Sequence, residues 1–142
     1  DYSDVYGKIY NWHAVNDPRG LAIDGYHIPT DDEWCILANY LGGSSVAGGK
    51  MKEAGLSYWD APNTDATNES SFTGLPGGMV DNYGSFGMGN NGYWWTSTSF
   101  YLVPEVPDGL VTIAVYLGNS ISFLSAASFV KAEGMSVRCI RD

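Results

Sequence analysis

The stretch from Leu56 to Gly92 constrains the fold more than any other part of the chain. Ser, Thr, Asn, Asp, Gly and Pro dominate it, and apolar residues stand singly at Trp59, Phe72, Leu75, Tyr83 and Phe86. An irregular run of more than 30 residues inside a compact domain is uncommon and tends to carry function. Asn and Asp side chains bonding nearby amides are expected to hold its shape.

Regular structure must therefore flank this run. On the N-terminal side, Val5–Val15 is rich in β-formers and reads as one or two strands. Asn16–Gly20 is a turn, and a short strand around Tyr26–Ile28 ends at Pro29. Thr30-Asp31-Asp32-Glu33 is a capping box, with two carboxylates placed at the positive end of the helix dipole. Trp34, Leu37, Ala38 and Leu41 follow at i, i+3, i+4 and i+7, and Gly42-Gly43 ends the helix. A second, weaker helix starts at Ser45, places Ala47, Met51 and Ala54 on one face and closes at Gly55. Gly48-Gly49 weakens it by about 1 kcal/mol each. Beyond the irregular run, strands are expected over Tyr93–Ser99, Leu110–Leu117, Ile121–Phe123 and Ser136–Ile140, punctuated by Gly118-Asn119 and Gly134. Early helices with a β-rich second half give an α+β class. No internal repeat is visible, and the 142 residues read as one domain.

Composition narrows the function. Only 16% of residues are charged, and seven Lys plus Arg against sixteen Asp plus Glu give a net charge of −9. With no basic cluster, nucleic acid and anionic membrane surfaces are poor partners. The longest apolar stretch, around Leu110–Leu117, is far short of the ~18 residues that span a bilayer. The chain opens on Asp1 rather than Met, which reads as a mature or excised domain. Cys35 and Cys139 are the only cysteines, 104 positions apart. Pairing, if made, would stabilise by about 4–5 kcal/mol in the chain-entropy model; spacing alone leaves paired and separate thiols both open.

YGKIYNWHAV (Tyr6–Val15), DGYHIPTDDEW (Asp24–Trp34), VAGGKMKEAG (Val46–Gly55), PNTDATNESSFTGLPGG (Pro62–Gly78), NGYWWTSTS (Asn91–Ser99) and MSVRCIRD (Met135–Asp142) occur in one order. Together they resemble the Fibrobacter succinogenes major paralogous (FISUMP) domain family of bacterial surface and secreted proteins. The resemblance spans almost the whole chain. It implies a C-type lectin-like fold, with two helices packed on small antiparallel sheets, first and last strands adjacent, and long irregular loops presenting the ligand surface. It also implies an extracellular or cell-surface location and a Cys35–Cys139 disulfide between the first helix and the closing strand. Where other members carry a Cys before the GYHIP-type motif, this chain has Ala22.

No catalytic motif is present. His13 and His27 read as structural, and the cysteine or copper chemistry of sulfatase-modifying enzymes, which share this broad fold, is not matched. An enzyme is not expected. Calcium, used by many C-type lectins, wants several oxygens. Asp60, Asn63, Asp65, Asn68 and Glu69 form the densest such set, with Glu105 and Asp108 a second. The sugar-coordinating Glu-Pro-Asn or Gln-Pro-Asp run is absent. In Tyr93-Trp94-Trp95, strand alternation puts the two indoles on opposite sides, one in the core and the other free to bind.

Between Ser99 and Gly134 the text departs from the family while both flanks match. Some proteins of this family and fold are diversified there by diversity-generating retroelements. The expected function is recognition of a protein or glycan through residues of about 100–130, with contacts drawn from Trp95, Ser97, Ser99, Tyr101, Val103, Ala114, Tyr116, Ser122, Leu124 and Phe129. The rival is a structural subunit or tip domain of a bacterial surface assembly.

Overall fold

The computed structural model describes residues 2–101 and 110–142. It is α+β: four helices, α1 (Tyr2–Tyr6), α2 (Trp12–Val15), α3 (Asp31–Tyr40) and α4 (Ser44–Met51), accompany three small antiparallel sheets among the described residues. The largest sheet runs β4 (Asn91–Tyr101), β5 (Leu110–Gly118), β6 (Ser125–Phe129), with β5 in the centre. β2 (Met79–Asp81) and β3 (Gly84–Phe86) form a hairpin, and β1 (Tyr26–His27) pairs with β7 (Ile140–Arg141).

The β1–β7 pairing brings the two ends of the sequence together. Tyr26 lies opposite Arg141, and Tyr10 bridges Met135 through bonds of 2.8 and 3.0 Å. The capped helix follows β1 directly. Its box is complete: Thr30 Oγ1 accepts from the Glu33 amide at 3.2 Å, and Glu33 Oε2 accepts from the Thr30 amide at 2.8 Å.

The central sheet is covered on both faces. On one side Trp94, Val115 and Leu117 pack with Trp34 and Ala38 of α3, Met51 of α4 and the loop residue Trp59. On the other, Tyr93, Trp95 and Ala114 pack with Trp12 and Val15 of α2, Met79 and Met135. Register follows the strand period of two: Trp94 faces Val115, Trp95 faces Ala114, and Tyr93 faces Tyr116. The register shifts between Trp95 and Ser99, where buried Thr96 turns its hydroxyl to the Ile113 carbonyl at 3.0 Å.

Expectations for four segments are corrected. Val5–Val15 holds the end of α1 and the whole of α2 rather than strands. Asn11 caps α2 by accepting from the Ala14 amide at 3.0 Å, and Trp12 and Val15, three apart, share its buried face. Tertiary burial overrides β propensity here. Ile121–Phe123 is not a strand, because its neighbourhood bonds to α4: Gly49 donates to the Ser122 carbonyl and Leu124 to the Ser44 carbonyl. The sixth strand starts later, at Ser125. The closing strand is also shorter than Ser136–Ile140, with Ser136 making only a bridge to Trp94.

The second helix ends at Met51, so Ala54 lies outside it. Its two glycines are there for contact. A Cβ on Gly48 would collide with the Phe123 carbonyl, and one on Gly49 would stand 2.6 Å from the Asp65 carbonyl oxygen. The Leu56–Gly92 run is irregular except for the first two residues of β4 and the β2–β3 hairpin, whose turn is made by Asp81 Oδ1 accepting from the Tyr83 and Gly84 amides. Asn63, Asp65, Asn68, Ser71 and Thr73 all hold positive φ there.

Candidate binding surface

The ten expected contact residues do not form one surface. Trp95 and Ala114 are fully buried at 0% exposure, and Leu124 belongs to the core beside Trp34. The two indoles do lie on opposite sides, yet both are covered because helices or loops close each face of the sheet. Trp95 Nε1 donates to the Tyr10 carbonyl at 2.8 Å, a structural bond. Tyr116 and Phe129 are half-buried against the second core cluster. Ser122 Oγ donates to the Ser45 carbonyl at 3.0 Å, tying the β5–β6 connection to α4. Ser97 is exposed, Ser99 half-buried, and Tyr101 ends β4 opposite Leu110. Val103 lies outside the described residues, as do Glu105 and Asp108.

The five oxygen donors do not converge either. Asp60 Oδ2 accepts from Asn90 Nδ2 at 3.1 Å, and Asn63 turns inward, donating to the Glu53 and Gly55 carbonyls. Asn68 is bonded to Thr73 at both amide atoms, and Glu69 reaches toward Lys50 at 3.5 Å. Asp65, which packs on Gly49, is exposed. Among the described residues no three His, Cys, Asp or Glu side chains gather as a metal site.

A different cation organises the loops. Lys52, directly after α4, is 0% exposed and donates through Nζ to the carbonyls of Thr64, Gly118 and Ile121 at 2.8, 2.9 and 2.8 Å. All three ammonium protons are used, on carbonyls of the Thr64 turn, the end of β5 and the β5–β6 connection. Burial lowers its pKa to about 8, against the opposing field of Asp65, so it stays protonated at neutral pH. Sequence reading missed this residue. Its only signal was a lysine at the end of a weak helix, just ahead of an oxygen-rich run.

The disulfide implied by the resemblance is not formed: both thiols are free. Successive helix residues are turned by about 100°, so Cys35 faces solvent while its neighbour Trp34 is buried. Cys139 sits beneath the other face of α3, lining a cavity with Glu33, Trp34 and Leu37. Burial raises both thiol pKa values, with Asp31 and Asp32 adding to the effect at Cys35.

His27 is held between two carboxylates. Nδ1 lies 2.7 Å from Asp142 Oδ1 and Nε2 2.8 Å from Glu33 Oε1. These bonds raise the His27 pKa, and the amide bond from Thr30, followed by His27, lowers that of Glu33. The two bonds make the group a latch that ties β1 to α3 and to Asp142. His13 is exposed on α2.

The surface that the last third does present is a groove of about 650 Å³ along the end of the central sheet. Leu110, Val111, Phe129, Val130 and Ala132 give it apolar walls, with His13, Lys131 and Glu133 alongside. Of these, only Phe129 was among the expected contacts. β6 pairs with β5 alone, and its outer edge beside the groove carries no strand partner among the described residues. β6 alternates half-buried and exposed, with Ala126 and Ser128 outward.

No curated protein and no solved structure matches the chain. One family model does, over residues 1–141, nearly the full length. The chain thus belongs to the Fibrobacter succinogenes major domain family.

Proposed function

We propose that this domain is a non-enzymatic recognition module of C-type lectin-like fold, acting at the bacterial cell surface or outside the cell and binding a protein ligand. The groove beside the outer edge of β6 carries this reading. An extended peptide can add main-chain bonds at such an edge while placing alternate apolar side chains against Val111, Phe129 and Val130. The lining is aliphatic and aromatic, which suits apolar peptide side chains better than a hydroxyl-rich sugar. Adjacent terminal strands, a capped helix and outward loops support the lectin-like assignment.

If the segment is diversified by a retroelement, variation must avoid the buried positions Thr112, Ala114, Val115 and Leu117. Outward positions such as Phe100, Phe123, Ala126, Ser128 and Val130 are the ones free to change. A near-identical template repeat beside a reverse-transcriptase gene, with codon differences at those positions, is the expected genomic pattern.

Screening a displayed random-peptide library on the immobilised domain tests the binding reading. Enrichment of an apolar consensus, lost on Val130→Asp and kept on Tyr40→Ser at the far end of α3, supports it. Binding insensitive to Val130→Asp, or binding only on a glycan array and abolished by EDTA, overturns it. A second reading is a subunit of a surface assembly, favoured by the exposed Tyr2, Val5 and Tyr58 around half-buried Tyr6. Light scattering distinguishes the two, since an obligate assembly does not run as a 15.4 kDa monomer.

A further inference from the structure

A second cavity, of about 260 Å³, lies on another part of the molecule and shares no lining residue with the groove. Pro29, Trp34, Leu37, Phe72 and Ile140 make its walls almost wholly apolar. The Trp34 and Phe72 rings meet edge to face with centroids 5.7 Å apart. An apolar cavity of about 150 Å³ holds one benzene ring; this one has room for a ring and a short tail.

Two charged residues also line it, and they differ in how they are neutralised. Glu33 is fully committed, with Oε1 on His27 and Oε2 accepting from the Thr30 amide and hydroxyl. Arg138 is not. Its guanidinium lies over the Phe72 ring at 4.4 Å, and Nη2 donates to the Phe72 carbonyl at 3.0 Å. Among the described residues no carboxylate stands within ion-pair distance of it. In a chain with a net charge of −9, Arg138 is an exposed arginine with no counter-ion among the described residues, at the wall of an aromatic cavity and open to an anion.

We infer that this cavity binds a small aromatic monocarboxylate, its ring held by Trp34, Leu37 and Phe72 and its carboxylate paired with Arg138. Guanidinium offers the paired N–H donors that a carboxylate accepts, and its stacking on Phe72 fixes their direction. A neutral amide of the same shape gains the ring contacts without the ion pair. Acetate gains the ion pair without the ring.

Phenylacetate, phenylacetamide and acetate are the probes, titrated into the intact domain by heteronuclear NMR. Phenylacetate is expected to saturate, shifting the Trp34 indole and the Leu37 methyls. Phenylacetamide is expected to bind about tenfold more weakly or less, the effect of a charge-assisted bond, and acetate not to saturate. Cys139 lines the cavity and Cys35 does not. Saturating phenylacetate should therefore slow alkylation of Cys139 and leave Cys35 unchanged. Arg138→Gln is expected to make acid and amide equal. Equal binding of acid and amide by the parent chain, shifts centred elsewhere, or unprotected Cys139 would each overturn the assignment, and none of these readings depends on the variant folding.

Discussion

The central sheet and the Lys52 loop cluster lie against each other and are specified by opposite means. β4 and β5 are held by volume: Trp94, Trp95, Ala114, Val115 and Leu117 fill the space between two layers of helix and loop. The loops from Lys52 to Gly92 lend Trp59 and Met79 to those two cores. Elsewhere they are held by specific polar bonds: the Lys52 ammonium and the Asn63 amide on inward carbonyls, and the Asn68–Thr73 pair and the Asp81 carboxylate nearer the surface. The sheet should tolerate changes of chemistry that keep size, and the loops changes of size that keep chemistry.

The largest effect expected is in the sheet. Trp95→Ala removes a fully buried indole and should destabilise by about 3–5 kcal/mol, read as the denaturation midpoint by intrinsic fluorescence. Trp95→Phe should cost markedly less. Lys52→Met tests the other side: it keeps the stem and removes only the charge, leaving the Thr64 and Ile121 carbonyls without their ammonium donor and Gly118 with only its 3.4 Å bond from the Ile121 amide. A loss of about 3 kcal/mol is expected. A near-neutral Lys52→Met in chemical denaturation would erase the contrast drawn above. Third is Gly48→Ala, where the seam between the two regions leaves no room beside the Phe123 carbonyl. Overpacking of about 1–3 kcal/mol is expected despite the gain in helix propensity.

The smallest effect is confined to a pH window. His27 has a raised pKa when folded, so its contribution is complete below the unfolded value of 6.5 and is lost as pH rises through the folded one. Glu33 has a lowered pKa, so its contribution is present above 4.5 and is lost as pH falls through its folded value. The latch therefore stabilises most between 4.5 and 6.5. Denaturation midpoints of the parent chain and His27→Gln should differ in that window and converge above it.

What could be read in advance follows from the same division. The capped helix was fully legible because Thr30, Glu33 and the Trp34–Leu41 stripe are local signals. β4 and β5 were legible from their composition, and the meeting of first and last strands came with the family resemblance. Burial of the sheet on both faces was not, since a strand's own sequence does not say what covers its second side. That is why Trp95, Ala114 and Leu124 were expected at a surface they do not reach. The Lys52 cluster joins residues up to 69 positions apart, and a residue's partners at that range leave no local trace. The free thiols have the same origin: helix rotation decides which side chain of α3 meets Cys139, and that side is Trp34 and Leu37.

Where a diffusible ion shapes a protein's loops, occupancy follows concentration and can be removed by dilution. Here the positive centre is supplied by translation, one per molecule, and its stoichiometry cannot vary. Dialysis or a chelator cannot withdraw it, so the three loop segments it joins stay tied wherever Lys52 remains an unmodified amine.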